Sequence, residues 1–277
     1  SVGEISVKTG NNARNGGKNS LNRLIRCVCG KKIGPDPRNF NQRVSLGRND
    51  LLIRTFPNMY QFLKGFDTVL SLNYDLLIYW TMTYGFDIQD GHLFKDCFLW
   101  NGIFDDAWWR FRDTFRERTN TLVFYPHGSL ALCRNVVEQE FKIHNAGEGL
   151  LEAILEEWRS EQAVPLFVSE GTMQQKVSSI QNSYYLSTVY REVLTSQRPS
   201  LTILGWGLGE HDRHILKRMR GTGIQRVAVS VYRWNQVYCN HAYQVIQDDL
   251  GPVRVDFFDS ESPGCWVHPV QPILPRF

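Results

Sequence analysis

Residues 68–75, Thr68-Val69-Leu70-Ser71-Leu72-Asn73-Tyr74-Asp75, begin as an apolar run and end on polar and aromatic residues. A short apolar run bounded by turn formers reads as a strand buried on both faces, the kind that parallel sheets use. The same form returns at 121–125, 164–168, 201–204, 226–231 and 253–258. Helical patterns fall between these runs, over 75–84, 148–161, 174–195, 210–220 and 236–249. In the clearest of them Leu150, Leu151, Ile154, Leu155 and Trp158 share one face, opposite Glu152, Glu156 and Arg159. Strands alternating with crossover helices predict an α/β fold with a doubly wound, mostly parallel Rossmann-like sheet and helices on both faces.

Two regions stand outside this alternation. Residues 85–120 are crowded with aromatics, among them Phe94, Phe98, Trp100, Phe104, Trp108 and Trp109, and are expected to form a helical insertion over the sheet edge. Residues 1–54 carry eleven Lys/Arg against three Asp/Glu, while the whole chain is only +3, so the remainder is net acidic. A basic arm on an acidic body suits a nucleic acid or an acidic protein partner, or is simply a solvated tail. The expected division is therefore a basic N-terminal region over 1–54 and one α/β domain over 55–277.

Composition excludes several classes. With 42% hydrophobic and 21% charged residues in 277, the chain is an ordinary globular protein. No apolar run approaches the ~20 residues that span a bilayer, so no membrane association is expected. The six cysteines form no C-x-x-C pair, which speaks against a zinc ribbon and against a disulfide framework. Free thiols suit a reducing cytoplasm.

In open α/β sheets, ligands bind beyond the carboxyl ends of the strands. Four successive runs end in residues fit for that place: Asn73-Tyr74-Asp75, Pro126-His127-Gly128-Ser129, Ser169-Glu170-Gly171-Thr172, and Gly205-Trp206-Gly207-Leu208-Gly209-Glu210-His211-Asp212. Each has a structural alternative. Asp75, Ser169 and Glu170 suit helix caps, and a His before Gly suits a turn. Loop 205–209 has the composition of a phosphate cradle, in which backbone N–H groups face an anion. His211 and His214, flanked by Glu210 and Asp212, are one helical turn apart and could share a metal, but no third ligand follows at a fixed spacing.

Taken in order, these segments resemble the sirtuin-like NAD-hydrolase family. The strand ending Leu72-Asn73-Tyr74-Asp75 is similar to the family's Thr-x-Asn-Tyr-Asp signature, and Pro126-His127-Gly128-Ser129 is similar to its later His-Gly element. Residues 203–215 resemble its Gly-x-Ser-x-x-x-x-Asp-x-x-Ile segment, with Gly207 where the pattern has Ser. The stretch 165–172, with Ser169 and Glu170, resembles a bacterial sub-family of unassigned function. The resemblance implies a NAD glycohydrolase of bacterial anti-phage defence, with NAD as substrate and no metal. It implies catalytic roles for Asn73 and His127; beside them Asp75 is expected to orient Asn73 or the ribose, with helix capping as the alternative. It places Gly128, Ser169, Glu170, Gly205, Gly207 and Asp212 against the nucleotide. A homo-oligomer is expected. The family's opening Gly-x-Gly-x-Ser loop has no counterpart after a strand in residues 1–20, and the missing zinc ribbon argues against protein deacetylation. The rival reading is a catalytically silent nucleotide-binding or assembly module of the same fold.

Overall fold

The computed structural model describes residues 50–112, 119–144, 149–168, 171–196 and 198–265, with side chains from residue 56 onward. The basic region 1–54, apart from the backbone of its last five residues, lies outside them. So do Ser169 and Glu170. Over the described residues the chain is mixed α/β, with small, mostly parallel sheets and helices packed on them.

Helix α1 (Asp50–Leu63) leads to strand β1 (Thr68–Leu70), then α2 (Leu77–Ile88), β2 (His92–Lys95) and β3 (Thr119–Phe124). These strands form a parallel sheet in the order β1-β3-β2. The chain reverses at once into β4 (Gly128–Asn135), which pairs antiparallel with β5 (Glu140–Lys142) and, across helix α3 (Leu150–Ser160), with β6 (Ala163–Phe167). Helices α4 (Met173–Gln181) and α5 (Tyr184–Thr188) follow. The last sheet is parallel, with β7 (Ser200–Ile203), β8 (Arg226–Val231) and β9 (Arg254–Asp259) in that order, joined by α6 (His214–Arg218) and α7 (Gln236–Leu250).

Packing explains these elements. The apolar stretch of β3 places Leu122, Val123 and Phe124 fully out of water among Tyr185, Leu186 and Val189. Val227, Val229 and Val231 of β8 are likewise buried, the first two packing with Ala242, Val245 and Ile246 of α7. At about 25 cal/mol per Å² of buried apolar surface, such side chains each contribute on the order of 2 kcal/mol. Caps fix the ends of the connecting helices. Thr172 accepts from the Gln175 amide while the Gln175 side chain accepts from the Thr172 amide, a reciprocal box at the start of α4. Ser183 accepts from the Leu186 amide to begin α5.

Three expectations change in detail. Among the described residues the strands fall into three three-stranded sheets, and the run at 164–168 pairs antiparallel with β4, which starts directly at the Pro126-His127-Gly128 turn. Among its described residues the aromatic segment holds the last turn of α2, then β2 paired to β3, loop and a 3₁₀ turn at Trp108–Arg112, rather than a helical insertion. The helical pattern at 174–195 is broken at Asn182-Ser183 and finishes on a π-turn over Val189–Val193.

Candidate functional site

Parallel pairing of β1 with β3 brings their carboxyl ends side by side, and the Ser71 amide donates to the Phe124 carbonyl at 2.9 Å. Beyond that point lie Leu72-Asn73 on one strand and Pro126-His127 on the other. The His127 ring sits against the backbone of Leu72, the residue just before Asn73. Asn73 is half-buried, and among the described residues its side-chain amide makes no hydrogen bond. The two residues that the sequence singled out thus flank one strand edge.

The opposite side of His127 is built by the segment after β7. His127 Nε2 lies 3.0 Å from His214 Nε2, with ring centroids 5.1 Å apart, and 3.9 Å from Asp212 Oδ1. His214 Nδ1 donates to the His211 carbonyl at 3.2 Å. Lys176, buried on α4, donates to Asp212 Oδ1 at 2.7 Å. Arg213, next in the chain, clamps the buried carboxylate of Asp249 on α7 through two 2.7 Å bonds. That fork–fork pair fixes the turn carrying Asp212.

Both imidazoles are almost fully out of water, His127 3% and His214 2% exposed. Burial disfavours the imidazolium and pushes His127 down to about 4, opposed by the nearby Asp212 carboxylate and assisted by His214 and the Lys176 ammonium. His214 is lowered for the same leading reason. Both rings are therefore neutral at physiological pH.

This carries a stability consequence. Between pH 4 and 6.5 the unfolded chain binds a proton at His127 that the folded chain does not, so stability rises with pH across that window. The contribution is complete above about pH 6.5 and lost as pH falls through about 4, and it amounts to roughly 3 kcal/mol. Thermal melts at pH 7 and pH 4.5 should show a smaller acid loss in His127→Gln than in the wild-type chain; equal losses would contradict it.

The remaining predicted residues fall into separate roles. Asp75 accepts from the Leu77 amide at 2.9 Å, closing a turn just before α2, whose N-cap position is Leu76; burial raises its pKa, the Leu77 bond opposing. Gly128 opens β4 with φ +82°, and its amide is committed to the Tyr125 carbonyl at 2.9 Å. The Gly205 amide donates to Ser230 Oγ at 3.0 Å, tying loop 205–209 to β8. Helix α7 holds the same loop, through Tyr238 Oη to the Trp206 carbonyl at 2.6 Å and His241 Nε2 to the Leu208 carbonyl at 3.2 Å. A side chain at Gly207 or Gly209 would meet open space.

Sequence reasoning paired His214 with His211, but His211 is exposed and contributes only its carbonyl. The partner is His127, from 87 residues away. Lys176 was missed altogether. Its signal was its position one helical turn before Ile180, on the buried stripe of α4.

The family model described as "Domain of unknown function (DUF4917)" matches residues 47–266. The chain belongs to this family. No curated protein matches the sequence. The DUF4917 match spans β1 to β9 and so includes all the residues around His127.

Proposed function

We propose that this DUF4917 chain is a NAD glycohydrolase, built as a sirtuin-like variant of the doubly wound nucleotide-binding fold. The observation that carries the reading is the junction of two separate motifs: β1 and β3 pair in parallel, so Leu72-Asn73 and His127 leave the sheet at adjacent carboxyl ends. In the reaction the bond between ribose C1′ and the nicotinamide nitrogen breaks, its electron pair neutralising the pyridinium as nicotinamide leaves. Positive charge grows on the ribose, and water adds its oxygen to C1′. His127 Nε2, which faces His214 at 3.0 Å in the unliganded chain, accepts the proton of that water once substrate opens that contact. Asp212, 3.9 Å away, stabilises the imidazolium so formed. The free amide of Asn73 donates to and accepts from the ribose hydroxyls and the water.

The nucleotide half lies against loop 205–209, where the open faces of Gly207 and Gly209 let an anion approach the backbone. Depletion of NAD in phage-infected bacteria is the role proposed for the reaction. Asn73→Ala tests the assignment. Nicotinamide release should fall about 10²-fold, because a misplaced nucleophile forfeits most of its orientation advantage, while the melting temperature stays near wild type. Unchanged release removes Asn73 from the site.

A further inference from the structure

Three donor atoms converge in one small space beside β4. The Nε2 atoms of His127 and His214 face each other 3.0 Å apart, in a place almost closed to water. His214 uses Nδ1 to donate to the His211 carbonyl, so its Nε2 is left to face inward. Asp212 Oδ1 lies 3.9 Å from His127 Nε2.

We propose that His127, His214 and Asp212 form a binding site for a zinc-class divalent transition metal, and that occupancy of this site silences the activity proposed above. Each residue offers one ligand atom, all within 4.8 Å of one another. Nitrogens bound to one tetrahedral zinc at 2.0–2.1 Å stand about 3.3 Å apart, so the imidazole pair needs to open by only a few tenths of an ångström. The His211 carbonyl, accepting from His214 Nδ1–H, is the kind of outer partner that orients a metal-binding histidine and fixes its tautomer. Two neutral imidazoles and a carboxylate form a borderline-soft donor set that suits zinc or cobalt over magnesium or calcium. Asp212 is the most open of the three, with 30% of its side chain exposed, and gives the ion its route in. Lys176 is the resident counter-charge of the metal-free state, and the second carboxylate oxygen lets it keep a partner when metal takes the first. Metal on His127 Nε2 occupies the lone pair that would accept the proton from water, so the bound ion and the general base exclude each other.

The silencing half of this inference rests on the NAD reading; the binding half does not. The purified full chain, stripped with chelator, is titrated with CoCl₂ and, in parallel, with ZnCl₂ against a chromophoric chelator. One metal per chain is expected, with cobalt giving the visible d–d bands of a low-coordinate nitrogen and oxygen site. His214→Ala should abolish these bands, and Asp212→Asn, nearly isosteric and partly exposed, should weaken zinc binding at least tenfold. His211→Ala should leave both unchanged. Nicotinamide release should fall at least tenfold with one equivalent of zinc and return with EDTA. Absence of the bands, or equal zinc binding by wild type and Asp212→Asn, overturns the site. Metal binding in a chain that never cleaves NAD retains the site and removes the NAD reading, and binding without loss of turnover overturns the silencing.

Discussion

Replacing His127 by Ala is expected to lower nicotinamide release by 10²–10⁴-fold, the usual cost of losing a positioned acid–base group. Asp212 and Lys176 can still form their 2.7 Å pair in the variant, so the loss reports the base and not a collapse of its neighbours. Because His127 is 3% exposed, truncation also leaves a cavity, and the fold must be checked in the same samples. Addition of imidazole provides a second readout. A small base entering the vacated space should restore part of the rate in His127→Ala, and an activity lost only through unfolding would not respond. A folded variant with wild-type turnover would remove His127 from the chemistry.

Gly128→Ala is expected to be the most damaging single methyl group in the described chain. A Cβ there would stand 2.1 Å from the Leu166 carbonyl oxygen and 2.7 Å from Phe167 Cα, both backbone atoms of β6, and φ is +82°. Neither the left-handed backbone nor the packed strand can yield cheaply, since the Val168 amide bonds the His127 carbonyl at 2.8 Å just beside it. A loss on the order of 3–5 kcal/mol follows from overpacking and backbone strain together. Gly207→Ala makes the comparison fair: it adds the same methyl where nothing lies within 4 Å, and stability should change by less than about 0.5 kcal/mol. Urea unfolding of both variants measures the difference, and similar midpoints would contradict the account.

How far the sequence could be read depends on what each residue contacts. Apolar runs announce burial, so 68–72, 121–125, 201–204, 226–231 and 253–258 each contain or overlap a strand. Direction is another matter, because a buried strand carries the same residues whether its neighbour runs parallel or antiparallel. That is why the run at 164–168 reads like a parallel strand; β4 gives no comparable sign, since its Pro-His-Gly start suits a turn. The strand-end rule brought Asn73 and His127 forward, and the parallel pairing of β1 with β3 sets their segments side by side. It was silent on His214 as the partner of His127, because their contact joins residues 87 apart and exists only once the sheets pack. Asp75 shows the reverse case. Its bond to the Leu77 amide at the start of α2 is local and readable from the two-residue spacing.

The central claim is that a neutral His127 beside Asn73 serves NAD cleavage. Its most direct test is a time course of NAD with the purified, metal-free full chain, followed by chromatography of nicotinamide and the ADP-ribose product. The account predicts equal, enzyme-dependent release of the two from wild type and loss of that release in His127→Ala. NAD bound but left intact by the folded wild-type chain, or no interaction with NAD at all, would contradict it.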